Sequence, residues 1–178
     1  MEAAKQTNDG LVKFARYTIQ QARTNLTKGG RNVSRKLYDS LGYEVKVYKR
    51  SFLLSFEMED YGQFQDQGVK GKFSSARAPK SPFKFGTGTG KKGGLTDGIF
   101  GWVKTKRLQF RDRQTGKFLT YKQTSELIRN SIYSKGMKPT EFFSKPFSKG
   151  FEKLPKELIT AYGLDIETFI KYATKDII

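Results

Sequence analysis

The chain has 178 residues, of which 34 are Lys or Arg and 17 are Asp or Glu, giving a formal net charge of +17 with 36% hydrophobic residues. That length suits one domain, or one modest core with long excursions, and a mean hydropathy of -0.64 favours the second. The absence of cysteine excludes disulfides and thiolate metal sites, and the absence of histidine removes the commonest general base and transition-metal ligand.

So large a positive charge calls for an anionic partner, either nucleic acid or an acidic protein surface. No apolar run approaches the roughly 20 residues needed to cross a bilayer. Met1-Glu2-Ala3-Ala4-Lys5 lacks the apolar segment of a secretory signal, so the chain reads as soluble.

Leu11, Phe14, Ala15, Thr18, Ile19, Ala22 and Leu26 recur at spacings of three and four, which predicts a helix over 9–26 with one apolar face. Asn8 or Asp9 is its expected N-cap, and Gly29-Gly30 its stop. Between Gly10 and Tyr38 lie Lys13, Arg16, Arg23, Lys28, Arg31, Arg35 and Lys36 and no acid, which reads as a solvated face or one turned toward an acidic neighbour. A short helix is expected over 32–40, with Val33, Leu37 and Leu41 as its stripe and Gly42 at its end. The runs 43–48 and 52–59 alternate around Lys49-Arg50-Ser51 and predict a β-hairpin with one buried face.

The stretch from Tyr61 to Val69 is expected to end the sheet with Tyr61 and Phe64 buried, and Gly68 to release the chain into a basic arm. Residues 67–96 carry Lys70, Lys72, Arg77, Lys80, Lys84, Lys91 and Lys92, no acid, two prolines and a glycine cluster. Such a segment buries too little apolar surface to offset its ordering entropy, and it reads as a long mobile loop ordered by a partner. Ile99, Phe100, Trp102, Val103 and Leu108 predict an amphipathic helix over 96–108. A small hairpin follows, 109–111 against 117–121 around Asp112-Arg113-Gln114-Thr115-Gly116. Helical spacing returns at Leu127, Ile128, Ser131 and Ile132. Thr140 is the expected N-cap of a further helix bearing Phe143, Phe147, Phe151 and Leu154, with Pro146 imposing a kink or a delayed start. A last helix is expected over 164–175.

The predicted fold class is α+β, a small antiparallel sheet packed against an N-terminal helix and C-terminal helices, with a long basic Gly-rich loop insertion. The expected organisation is a single domain over 1–178, with 67–96 as an extended loop and 97–135 as an insertion carrying the hairpin and a helix.

Gly86-Thr87-Gly88-Thr89-Gly90-Lys91-Lys92-Gly93 departs from a phosphate loop, because three residues rather than four precede the Gly-Lys pair and Lys92 stands where Ser or Thr would hold magnesium. Gly88, Gly90 and Gly93 match the letters of a dinucleotide fingerprint but lack the buried strand before and the apolar helix after. Glu57, Glu59, Asp60 and Asp66 cluster in sequence as oxygen donors, with a solvated strand edge as the simpler explanation. The mixture of Phe73, Phe83, Phe85, Trp102 and Phe110 with lysines and arginines suits base stacking or phosphate contact. It equally suits core or inter-subunit anchors beside charges facing acidic protein or the DNA backbone, and no helix-turn-helix, zinc or RNP motif appears.

Gly30, Val33, Leu37, Ser40 and Leu41, then Tyr61, Gly62, Phe64, Asp66 and Gly68 after the hairpin, then Pro139, Phe142, Phe143, Pro146 and Phe147 form a recognisable series. Over roughly 8–70 and 136–160 the chain resembles the tail-completion, or head-tail joining, family of tailed bacteriophages, with residues 73–135 a much longer insertion than that pattern has. The resemblance implies a non-enzymatic virion protein of the neck, assembled in the host cytoplasm. It would form a homo-oligomeric ring, sixfold or twelvefold, between portal or connector and tail around the packaged DNA, with no membrane, metal or cofactor. Lys70, Lys72, Arg77, Lys80, Lys84, Lys91 and Lys92 would then meet DNA or an acidic partner. Tyr61, Phe64, Gly68, Phe83, Phe85, Trp102, Pro139, Phe142, Phe143, Pro146 and Phe147 would be structural or inter-subunit residues. The alternative is a free, sequence-nonspecific nucleic-acid-binding protein.

Overall fold

The computed structural model describes residues 2–30, 34–48, 51–87 and 94–154, and it is an α+β fold. The chain divides into two compact units: unit 1 comprises Met1–Asp66 with Glu141–Ile178, and unit 2 is Gln67–Thr140. The stretch expected to be a loop and an insertion within one domain is thus a unit of its own, running on to residue 140. The helix expected over 164–175 lies outside the described residues.

Unit 1 is built on α1 (Glu2–Lys28), whose apolar positions Leu11, Phe14, Ala15, Ile19, Ala22 and Leu26 are all buried, as their spacing predicts. Thr18 is fully buried on the same stripe, its hydroxyl donating to the Phe14 carbonyl at 3.0 Å. The helix begins well before Asn8 and Asp9, which lie inside it rather than capping it, because the preceding Glu, Ala, Lys and Gln favour helix. It ends at Gly29-Gly30 as predicted, with Gly30 at a φ of 64°.

The second helix, α2, spans only Lys36–Ser40; Leu37 and Leu41 are buried as expected, and Val33 lies outside the described residues. Strands β1 (Gly42–Val47) and β2 (Phe52–Glu57) form the predicted antiparallel hairpin, in register from Gly42 opposite Glu57 to Val47 opposite Phe52. Alternation places Leu54 and Phe56 in the core, with Tyr43, Val45, Val47 and Phe52 packed against it.

Helix α6 (Ser144–Phe151) closes this core with Phe147 and Phe151. The ring centroid of Phe147 lies 5.1 Å from that of Phe14 and 5.7 Å from that of Phe56, and Phe143 lies 5.2 Å from Phe56, all nearly edge-to-face. Each such pair adds about 0.5–1.5 kcal/mol beyond its area burial.

The segment from Tyr61 departs from expectation. It is a helix, α3 (Tyr61–Gln67), and its buried residues are Gly62 and Asp66, whereas Tyr61 and Phe64 are each 39% exposed. The reason is steric: a Cβ on Gly62 would lie 2.7 Å from Met58 Sδ and 2.9 Å from a Leu37 methyl, so the face pressed on the core is the one without a side chain. Helix α6 starts late, at Ser144 rather than directly after Thr140, the delayed start expected from Pro146. Pro146 falls in its first turn, where a missing N–H costs nothing.

In unit 2, β3 (Val69–Lys70) pairs antiparallel with β4 (Gly136–Met137), and on its other side Lys70 bridges Lys84 in parallel. Helices α4 (Gly94–Thr105) and α5 (Tyr121–Lys135) pack on each other. The N-terminus of α5 carries a full capping box between Thr120 and Gln123. The hairpin predicted over 109–121 shrinks to one bridge, Arg111 with Phe118, because Tyr121 already belongs to α5. Its turn is tied by Asp112 Oδ1, which accepts from the backbone of Gln114 and Thr115 at 2.9 and 2.7 Å.

Residues 67–87, expected as mobile loop, are instead held by backbone hydrogen bonds: Lys70 N–H to Phe83 O, Phe85 N–H to Lys70 O, Lys72 N–H to Tyr133 O and Phe73 N–H to Ser134 O. Glycine makes this possible without much apolar burial. A Cβ on Gly71 would run into Ser134 O, and one on Gly136 into Val69 O, so the two backbones can approach only because both residues are glycine. Gly136 also sits at a φ of 84°, where any side chain is strained.

Candidate polyanion-binding surface

Charge is divided very unevenly between the units. Unit 2 holds 17 of the 34 Lys and Arg residues but only three of the 17 Asp and Glu (Asp97, Asp112 and Glu126), a net +14 against +3 for unit 1. Its buried hydrophobics among the described residues are Val69, Ala78, Ile99 and Val103, so much of its apolar material faces outward. Phe73 is 76% and Phe118 64% exposed, and Phe100, Trp102 and Phe110 are exposed as well.

Cations stand over several of these rings. Lys72 Nζ lies 5.4 Å from the Phe73 centroid and 5.9 Å from that of Tyr133, Lys104 Nζ lies 5.2 Å from Phe100, and the Arg111 guanidinium lies 5.0 Å from Phe118. Tyr133 in turn meets Phe85, with centroids 5.8 Å apart.

The predicted contact residues are therefore brought only partly together. Lys70 and Lys84 are strand neighbours, with Lys84 exposed and Lys70 half-buried, and Lys72 lies two residues beyond Lys70. Lys80 is exposed. Arg77 is exposed but donates to the Gly136 carbonyl at 3.2 Å, which gives it a structural duty. Lys91 and Lys92 lie outside the described residues. Of the predicted structural residues in this unit, Phe83 and Phe85 are half-buried, Pro139 and Trp102 are exposed, and Gly68 is buried at a φ of 72°. Its carbonyl accepts from Ser81 Oγ at 2.7 Å. Sequence reading missed Tyr133, whose only signal was an aromatic in the last turn of a helix otherwise read by its aliphatic residues.

In unit 1 the predicted structural residues Phe142, Phe143, Pro146 and Phe147 are all buried. The correction at Tyr61 and Phe64 shifts attention to Asp66. Its Oδ1 accepts from the backbone N–H of Phe143 at 2.8 Å and of Ser144 at 3.2 Å, and its own carbonyl accepts from Glu141 N–H at 3.0 Å. A side chain 77 residues away thus caps α6, meeting orphan donors that no local residue satisfies.

Burial pushes the Asp66 carboxyl above the usual carboxylate range, opposed by those two donors and reinforced by Glu141. Its sequence neighbours Glu57, Glu59 and Asp60 stay exposed. Among the described residues no three acidic side chains gather into a group able to hold a metal ion.

Two basic residues of α1, expected on a solvated face or one turned toward an acidic neighbour, have internal partners. Arg23 donates to the carbonyls of Tyr38 and Leu41 at 3.2 and 2.9 Å and stacks on the Tyr38 ring, pinning α2, while Arg16 donates to the Tyr43 hydroxyl. Among the described residues no helix is long and apolar enough to cross a membrane. No model of a known protein family, no curated protein and no solved structure matches this chain.

Proposed function

We propose that this chain is a structural subunit of a tailed-phage neck, a ring-forming protein of the head-tail junction that joins portal or connector to tail around the DNA channel. The observation that supports the reading is the cap on α6. The two stretches that carry the resemblance are far apart in sequence, yet Asp66 from the first is hydrogen-bonded to Phe143 and Ser144 in the second. The insertion that departs from the family pattern, residues 73–135, falls within a compact unit, Gln67–Thr140, that carries most of the net charge.

In this reading unit 1 is the ring-building part, and unit 2 is the basic part that meets the polyanion or an acidic neighbour. Its work is binding and assembly, with no catalytic step. Native mass spectrometry and electron microscopy of the purified protein test it. Closed rings are expected, favoured as salt screens the repulsion between +17 copies. A monomer at every ionic strength, in a protein also missing from purified particles, would overturn it.

A second reading, a free sequence-nonspecific nucleic-acid-binding protein, is favoured by the exposed rings of unit 2 with cations over them. It predicts binding in solution that weakens steeply with salt as counterions are released.

A further inference from the structure

The least explained feature of unit 2 is Phe73. A phenylalanine 76% exposed is costly to display, and a mobile tip would be its usual setting. Here the tip is fixed. The Phe73 N–H donates to Ser134 O at 3.2 Å, the preceding Lys72 N–H donates to Tyr133 O at 2.8 Å, and Gly71 N–H closes the loop onto Ser74 O at 2.8 Å. The ring therefore stands on backbone anchored to the end of α5, so little main-chain freedom is left to lose on binding.

Around it the same strands place Lys72, whose ammonium lies within 6 Å of both the Phe73 and Tyr133 rings, then the Tyr133 and Phe85 pair, and the side-by-side Lys70 and Lys84. A ligand for this patch must offer flat apolar faces and closely spaced negative charge together. An acidic protein surface supplies the charge without the faces, and duplex DNA keeps its base faces stacked inside. Unstacked bases on a phosphate backbone supply both.

We infer that unit 2 binds single-stranded nucleic acid, a base stacking on Phe73 and the backbone running past Lys72, Lys70 and Lys84. This rests on the second reading above, that unit 2 takes nucleic acid, and it does not depend on the neck reading. Phe73 and the Tyr133 and Phe85 pair act as stacking surfaces, and the lysines supply sequence-independent attraction. The Lys72 ammonium, set between two rings, serves both a phosphate and the ring it lies over.

The test uses the full chain with a fluorescent oligo-dT strand and a duplex of equal length, titrated across ionic strength by fluorescence anisotropy. The single strand is expected to bind more tightly than the duplex at every salt concentration. Phe73→Ala should weaken the single strand about 5- to 150-fold, the range for loss of one base stack, and leave the duplex unchanged. Replacing Lys72 and Lys84 by Ala should flatten the dependence of log affinity on log salt by about 0.7 for each phosphate no longer neutralised. Tyr48→Ala, which removes an exposed ring of unit 1, should leave affinity within about twofold. Trp102 fluorescence and circular dichroism check that each variant is folded, and photo-crosslinking of the strand should map to peptides containing Phe73 or Tyr133.

Equal affinity for strand and duplex with a steep salt slope would overturn the stacking proposal and leave nucleic-acid binding by unit 2 standing. Binding of neither would overturn both. Equal losses in Phe73→Ala and Tyr48→Ala would overturn the assignment of the site.

Discussion

The two units are held together by different means. Unit 1 buries a continuous cluster of fifteen apolar residues, six of them phenylalanines, around one long helix, and its charges nearly balance. Unit 2 buries four hydrophobics among its described residues, carries a net +14, and is laced by backbone hydrogen bonds that two facing glycines permit. The first is built as a scaffold, stabilised by the hydrophobic effect and little affected by charge screening. The second gives up core for surface: aromatics and cations are set outward, the arrangement on which its proposed binding role rests.

The sharpest way to break this contrast is at the glycine crossing of unit 2. Gly136→Ala puts a methyl against the Val69 carbonyl at a backbone angle that disfavours any side chain, and should cost unit 2 about 4 kcal/mol or more. Trp102, the single tryptophan, lies in unit 2 and reports its unfolding in urea, while far-ultraviolet dichroism follows the helices of both. Disappearance of the Trp102 transition with much of the helical signal kept is the expected result, and a single shifted transition would show the units to be one cooperative block.

Next in size is the reverse experiment. Phe147→Ala removes a fully buried ring from the centre of unit 1 and should cost about 3–5 kcal/mol, read as a lower urea midpoint for the helical signal with the Trp102 transition little moved.

Smaller, and informative about pH, is the long-range cap. Asp66→Ala leaves two backbone donors at the start of α6 unmet and should cost about 1–3 kcal/mol. Asp66→Asn keeps an acceptor oxygen there and should be far milder. Because burial raises the Asp66 pKa in the folded state, the charged form is a liability at neutral pH. Wild-type unit 1 should therefore gain stability as pH falls through that raised value toward the ordinary carboxylate range, and the Asn variant should lack this gain. Urea midpoints measured at several pH values for both proteins check the sign. The smallest effect belongs to Thr120→Ala, which dismantles the capping box of α5 and should lower unit 2 stability by about 1 kcal/mol by the Trp102 signal.

Much of unit 1 is legible in the sequence because its elements announce themselves locally. The stripe from Leu11 to Leu26 and the alternation on both sides of Lys49-Arg50 need only the periods of helix and strand, and both elements form where those periods place them. The errors fall where a distant contact decides. Aromatics are usually buried, which is why Tyr61 and Phe64 are expected inside, yet the face of α3 laid on the core is the one with Gly62 and Asp66. Segment 67–87 is basic and poor in apolar residues, which is why it reads as mobile. Its order comes from backbone groups, whose pairing leaves no trace in side-chain composition. At the candidate site the lysines are visible one by one, whereas Tyr133 enters only when α5 delivers it beside Lys72 and Phe85.

Sequence alone determined the absence of cysteine and histidine chemistry, the strong positive charge, the amphipathic first helix, the hairpin and the aromatic start of the last described helix. All of these follow from composition or from periods shorter than about ten residues. Tertiary structure alone decided that the charge gathers in a unit of its own, that Asp66 caps a helix 77 residues further on, and that Phe73 stands exposed on fixed backbone. Each depends on residues tens of positions apart meeting in space, and the energy of such meetings is written in no local pattern.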